Sequence, residues 1–324
     1  MNDVLILDVG HGNCTLVQDA GAVAVIDSPV GSTLIDTLDE LGVTHVDHAI
    51  ISHADADHIA GILALLTSDR ITVGELHLNP DRDRQSSIWK DLICAVQVAS
   101  RSGGFHTNTS LTASTPGILR VGGITMTIVS PSAGLALSAV GGSIEGKANS
   151  ANTLSAVIKV ERAPDVGVLL AGDLDITALS DITASGAKLT ASALVFPHHG
   201  GLPGSSKTVD FTQTLLEMVG AKYVYVSNGR SRHNNPRGEI VETILNHGCK
   251  LACTQLAKAC GEPMPSAHHE RWPAAGINTR HSCAGTISLT LGEGGAIRDP
   301  RSEEAFREFV VTRVSAAMCL RRKS

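Results

Sequence analysis

The stretch ISHADADHIAGI, residues 51–62, packs His53, Asp55, Asp57 and His58 between an apolar run and a return to hydrophobic residues. The preceding VDHAIIS (46–52) has the composition of a buried strand, and HIAGILALLTS (58–68) that of a helix. The cluster therefore falls where a strand ends and a helix begins. Residues two apart at a strand end share a side, so His53 and Asp55 can converge, and the turn into the helix swings Asp57 and His58 into the same space. Without a cation, neighbouring carboxylates repel and raise one another's pKa; a divalent metal removes that penalty. The plain alternative is a solvated turn in which Asp57 simply caps the helix.

Later stretches repeat the placement. VLLAGDLD ends a hydrophobic run at Asp173, LVFPHHGG does so at His198 and His199, and VYVSNGRSRHNNP brings Asn228, His233 and Asn235 after a third run. Metal-capable residues thus gather just beyond strand ends, where α/β folds collect their ligand sites. Any one of these histidines alone would more often be an ordinary surface or core residue.

Around these points the chain reads as short strands first (4–7, 14–17, 22–26) and then as alternating strands and helices. Helices are expected at 31–42, 58–68, 86–100, 175–184, 207–219 and 236–247, and the stretch 101–150 offers one clear strand, 124–130. Residues 140–152 read as a mobile loop. This order suits two sheets packed face to face with helices outside, and the 324 residues are expected to form a single domain. Hydrophobic residues make up 43% of the chain, enough for a large core, and aromatics only 3%, so aliphatic side chains must fill it. The net charge of −6 counts against a module that binds nucleic acid by general attraction. No stretch approaches the ~18 uninterrupted apolar residues of a membrane span, and MNDVLILDVGHGN lacks a basic, apolar leader. With seven cysteines, an odd number, reduced cytoplasm is the expected location.

The series LDVGHGNCTLV, VIDSP, SHADADHIAGI, NSANTLSAVIKV, LLAGD, FPHHGG and VSNG with HNNP resembles the metallo-β-lactamase-fold hydrolases, and within them the hydrolase domain of ComEC-type competence proteins. The resemblance runs from about residue 3 to 255 and resumes at CAGTISLTL. It implies an α+β, four-layer αββα sandwich with a dinuclear metal centre. His53 and Asp55 would serve one ion, Asp57 and His58 the other, with Asp173 bridging and His198 as the late histidine. The superfamily motif is usually HxHxDH; here Asp55 replaces the second histidine, as in the ComEC-type group. Asn152 stands where many members carry a further histidine, as a weak ligand or an orienter of substrate or water. A departure lies at Asn235-Pro236, where the ComEC-type pattern has His-Pro; His233 precedes it by two residues.

Carboxylate in place of imidazole suits Mn²⁺ and Mg²⁺, whereas imidazole favours Zn²⁺, so manganese stands beside zinc as the expected cofactor. Two such ions roughly 3.5–4 Å apart clamp a phosphoryl group and activate water for in-line attack. Asp57 belongs to the expected catalytic set, with His199 or His233 as the proton donor to the leaving oxygen. Asn228, Arg230 and Asn235 are candidates for substrate binding; Lys207, Arg232 and Arg237 flank the same motifs and read equally well as surface charge.

Residues 253–283 form a long insertion, between CTQ (253–255) and CAGTISL (283–289), containing Cys260, His268, His269 and His281, with Cys253 and Cys283 at its edges. A structural zinc on Cys253, Cys260, Cys283 and a histidine such as His268 would hold it; buried free thiols or a disulfide are the alternatives. Cys14 and Cys94 are expected in the core. A final helix, 302–320, carries Phe306, Phe309, Val310, Val314 and Met318 along one stripe, for core packing or a dimer seam.

The resulting expectation is a metal-dependent hydrolase, a phosphodiesterase or nuclease acting on DNA. The other readings are a small-molecule hydrolase (cyclic nucleotide, lactone or thioester) and a non-catalytic metal-binding regulatory subunit with a partner protein.

Overall fold

Val4 and Ile6 point to one side of the first strand and Leu5 to the other, and all three are buried. A strand with two apolar faces must lie between two layers, and the whole molecule follows from that. The computed structural model describes residues 3–80, 85–101, 103–144, 147–204, 207–230, 233–265 and 272–320.

The first half comprises β1 (Val4–Ile6), β2 (Thr15–Asp19), β3 (Ala22–Ile26), α1 (Thr33–Glu40), β4 (His45–Ile50), α2 (Ala56–Leu66), β5 (Thr72–His77), α3 (Ser87–Ala99) and β6 (His106–Asn108). Then follow β7 (Ile118–Val121), β8 (Ile124–Ser130), α4 (Ala133–Ser138), the short pair β9 (Ser143–Ile144) and β10 (Lys147–Ala148), β11 (Val157–Arg162) and β12 (Asp165–Leu170). The remainder is α5 (Ile176–Ser185), β13 (Ala193–Val195), α6 (Thr208–Val219), β14 (Tyr223–Val226), α7 (Gly238–Asn246), β15 (Lys250–Cys253), β16 (Ile287–Gly292), β17 (Gly295–Arg298) and α8 (Pro300–Thr312).

Among the described residues these strands form two large sheets, in the orders β17-β16-β1-β2-β3-β4-β5-β6 and β15-β14-β13-β12-β11-β8-β7. Val4, Ile6, Val17, Ile26 and Ile50 of the first sheet meet Met126, Ile128, Ile158, Val168 and Val195 of the second. Ile59, Ile62 and Leu65 of α2, with Trp89 and Leu92 of α3, cover the outside of the first sheet. Phe211, Leu215, Ile240 and Ile244 of α6 and α7 cover the outside of the second. The result is the expected four-layer αββα sandwich.

Several local expectations differ from the structure. Residues 140–152 contain the β9–β10 pair, with Gly141 and Asn149 bonded through their backbones. The strand expected from Thr153 begins at Val157, after a 3-10 turn at Asn152–Leu154. Cys94 is exposed, because the buried stripe of α3 runs through Trp89, Leu92 and Ala95. The last helix stops at Thr312, and Met318–Leu320 forms a separate 3-10 turn. The break lets Ala316 N–H donate to the Cys260 carbonyl, while the expected apolar stripe is still buried through Phe306, Phe309, Val310, Val314 and Met318.

Candidate metal centre

The chemistry collects at the carboxyl ends of parallel strands. β4 delivers His53, Asp55, Asp57 and His58; β12 delivers Asp173; β13 delivers His198 and His199; β14 delivers Asn228. Asp55 occupies the N-cap position of α2, but its side chain makes no capping bond. Its Oδ2 lies 3.6 Å from His53 Nε2, and Asp173 Oδ2 lies 3.7 Å from the same nitrogen and 3.4 Å from His198 Nδ1. The second carboxylate oxygen, Asp173 Oδ1, is 3.6 Å from His58 Nε2 and 3.9 Å from His199 Nε2. Asp173 thus stands between two sets of donors. Asp57 Oδ2 faces His199 Nε2 at 3.5 Å and His11 Nε2 at 3.2 Å.

The surrounding residues set which ring nitrogen faces inward. Asp27, buried directly after β3, accepts from Ser52 N–H and Ser52 Oγ–H at 2.7 Å each and from His58 Nδ1–H at 2.8 Å. His199 Nδ1–H donates to the Ser227 carbonyl at 3.0 Å. Both imidazoles therefore turn a lone pair on Nε2 toward the centre, the arrangement that metal-binding histidines use. His198 and His199 both have left-handed backbones, φ 54° each. Such conformations cost about 1–3 kcal/mol per non-glycine residue, and here they aim two consecutive imidazoles into one space.

The decisive feature is what these atoms lack. His53 Nε2, His58 Nε2, His199 Nε2 and Asp173 Oδ1 are all buried without a hydrogen-bond partner. Unpaired buried polar atoms cost about 1–3 kcal/mol each, and divalent cations at their meeting point would satisfy all of them. The donor set of nitrogens and carboxylate oxygens fits Zn²⁺ or Mn²⁺. Among the described residues, donor atoms within 4.8 Å of one another occur as His53–His58–Asp173, as His11–Asp57–His199, and in a separate group, His48–Glu75–His77.

The charges are mutually dependent. Burial would raise the Asp57 carboxyl, but the His11 and His199 imidazoles facing it and the charge of His58 hold it well below the usual carboxylate range. Asp173 is held low against its burial, foremost by the charge of His58 and a hydrogen bond from His198. Burial disfavours a charged His58, yet Asp27 and Asp173 outweigh it and push this imidazole up to about 10.

The other expected residues are placed as follows. Asn152 turns a buried, unpartnered Oδ1, three positions before Ser155, whose Oγ is 3.3 Å from His53 Nδ1. His233 is exposed and packs its ring 4.8 Å from that of His11. Asn228 is fully buried and ties loops together, donating to the Asn235 carbonyl and accepting from Gln255 N–H. Asn235 Nδ2 donates to the His198 carbonyl at 3.4 Å. The Arg230 guanidinium donates to the carbonyls of Leu256, Ala257 and Gly261, which commits it to holding the insertion. Arg232 lies outside the described residues.

Within LDVGHGN and VIDSP, His11 and Asp27 carry no local pattern that marks them as site residues. Their one sequence signal is that each follows the end of a strand in the first sheet.

In the insertion, Cys253, Cys260 and Cys283 do come together, and Cys319 joins them around one small cavity. His268 and His269 lie outside the described residues. No group of donors at ligation distance among the described residues includes a cysteine. Burial foremost pushes the Cys253 and Cys283 thiols up, and Cys319 to about 12. The insertion has another anchor: the buried Asp8 carboxylate accepts from Gln255 Nε2, Ser282 Oγ and Gly276 N–H at 2.7, 2.8 and 3.1 Å. Trp272 packs into the outer layer of the first sheet beside it.

An αββα sandwich with a His/Asp centre at its strand ends defines a class of protein. Residues 7–79, which span β2 to β5 and include His11, His53, Asp55, Asp57 and His58, match the family model of the metallo-beta-lactamase superfamily. The chain has the metallo-β-lactamase fold. It is similar to the metallo-beta-lactamase fold protein YhfI from Bacillus subtilis at 12% identity, covering 77% of this chain and 95% of that one, with a TM-score of 0.49. A diphosphatase of the PhnP family is 16% identical over 77% of this chain and 94% of its own, with a TM-score of 0.45. The human short-form tRNase Z is 11% identical over 71% and 94%, with a TM-score of 0.38. No curated protein matches the chain. Among the described residues, no helix is long and apolar enough to cross a membrane.

Proposed function

We propose that this protein is a two-metal hydrolase that cleaves phosphodiesters, with DNA as its substrate. The observation that carries the reading is the convergence of partnerless, buried donor atoms from His53, His58, His199 and Asp173 on one space. Asp55, Asp57, His11 and His198 complete the two donor sets. When bound, two divalent ions supply the Lewis acid and activate the attacking water. The chain supplies the rest. Asp27 and the Ser227 carbonyl hold His58 and His199 in the required tautomers. The Asn152 carbonyl oxygen orients substrate or water. His233, exposed and with its ring packed at a tilt against His11, donates the proton to the leaving oxygen, since an imidazole titrates near neutral pH. The preference for DNA rests on the ComEC-type motif pattern.

A second reading, hydrolysis of a small phosphodiester or ester, draws on a specific observation. Arg230 is spent on backbone carbonyls, and the net charge is −6, so fewer cations face a polyanion. The test is hydrolysis of single-stranded DNA, duplex DNA and bis(p-nitrophenyl) phosphate by wild-type protein and Asp57→Ala, after chelation and return of Mn²⁺, Zn²⁺ or Mg²⁺. The expected result is metal-dependent DNA cleavage that is lost in the variant. Cleavage of the small ester alone selects the second reading, and full metal occupancy without any hydrolysis overturns both.

A further inference from the structure

Away from this centre, β4, β5 and β6 carry a row of polar residues across the edge of the first sheet. His48 pairs in register with Glu75, and Glu75 with His106; in the next row, Ile50 pairs with His77 and His77 with Asn108. Residues paired across strands, or two apart along one, share a face. His48, Glu75 and His77 therefore project together, with His106 beside them.

Each of the three directs one donor atom to the same point. His48 Nδ1 is 3.2 Å from His77 Nε2, Glu75 Oε2 is 3.5 Å from His77 Nε2, and Glu75 Oε2 is 3.8 Å from His48 Nδ1. A tetrahedral zinc with bonds of about 2.0–2.1 Å separates its ligand atoms by about 3.4 Å. An octahedral ion at about 2.1 Å brings neighbouring ligands to about 3.0 Å. The observed triangle fits the tetrahedron. His77 is completely buried, His48 is 18% exposed and Glu75 37% exposed, so the triangle is most open at Glu75, whose register partner on β6 is His106.

We propose that His48, Glu75 and His77 form a third metal site, specific for zinc, with His106 as the fourth ligand. This site shares no ligand with the two-metal centre and does not depend on its activity. It would cross-link three adjacent parallel strands close to the point where β4 delivers His53. The competing arrangement is a metal-free hydrogen-bonded ring, in which Asn108 Nδ2 donates to His77 Nδ1 across 3.5 Å.

The experiment measures zinc per chain, after dialysis, in an Asp57→Ala, Asp173→Asn background that disables the main centre. The expected result is one zinc equivalent per chain, lost in the further variant His48→Ala, His77→Ala. Zinc absorption spectra should show nitrogen and oxygen neighbours and no sulfur. Equal zinc content with and without His48 and His77, in proteins of unchanged circular dichroism, overturns the proposal, as does a spectrum dominated by sulfur, which would move the ion to the cysteines. Should the histidine variant fail to fold, Glu75→Gln decides. Because outer-shell losses alone weaken metal sites 10–100-fold, Glu75→Gln should lower zinc affinity at least about tenfold in a competitive chelator titration, and unchanged affinity overturns the site.

Discussion

Asp27 never meets the centre's inward-facing donors, yet it holds both Ser52 and His58 in place. Asp27→Ala should weaken metal binding about 10–100-fold, the usual cost of losing an outer-shell partner of a ligating histidine, as measured by chelator competition. A second consequence concerns pH. The folded-state pKa of His58, about 10, lies above its ordinary 6.5. In the chelated protein its contribution to stability is therefore complete below pH 6.5 and is lost as pH rises toward 10. Urea unfolding of metal-free protein should give a lower midpoint at pH 9.5 than at pH 6.5, and the His58→Gln variant should flatten that difference. At this scale much was legible: the HxDxDH cluster, Asp173 and the histidine pair all stand out as polar residues interrupting apolar runs. His11 and Asp27 were not, because a single histidine or aspartate after a strand has no local pattern to mark it.

Among the elements, the loop after β14 illustrates placement by absence. A β-carbon on Gly229 would come within 2.3 Å of the His11 backbone nitrogen, so only glycine lets the two loops touch. Gly229→Ala should cost about 1–3 kcal/mol and displace His11 from Asp57, lowering both the thermal midpoint and metal occupancy. The insertion is anchored by Asp8, whose carboxylate is buried with donors from three segments around it. Asp8→Ala would strand those donors, and denaturant titration should show a loss of about 2–4 kcal/mol. The need for an anchor could be read from the length of the loop. Its identity could not, since Asp8 lies at the opposite end of the chain and ordinary sequence spacing carries no trace of that contact.

Over the whole molecule, the two sheets are joined by more than their shared apolar core. Arg162 on β11 donates to Asp3 beside β1 and to both oxygens of Asp19 on β2. The guanidinium holds the Asp19 carboxyl below its ordinary value. A carboxyl depressed in the folded state stabilises above its unfolded pKa and loses that contribution as pH falls through the folded one. Arg162→Met should therefore cost about 1 kcal/mol at neutral pH. Acid titration should show this difference from wild type shrinking below pH 4.

Apolar patterning along the chain is enough to require the layered architecture, because strands with two apolar faces and helices with one can be buried only in a few ways. It also determined which residues interrupt those runs with metal-capable groups. How the donors divide is set in space: strands from two sheets end at one edge, and side chains from residues 11, 57 and 199 meet there despite their separation along the chain. Tertiary structure alone also decides that Arg230 serves the insertion, that His11 joins the centre, and that His48, Glu75 and His77 converge on a neighbouring edge. Each is a through-space contact set by strand order and register, whereas composition and periodicity record only what lies nearby along the chain.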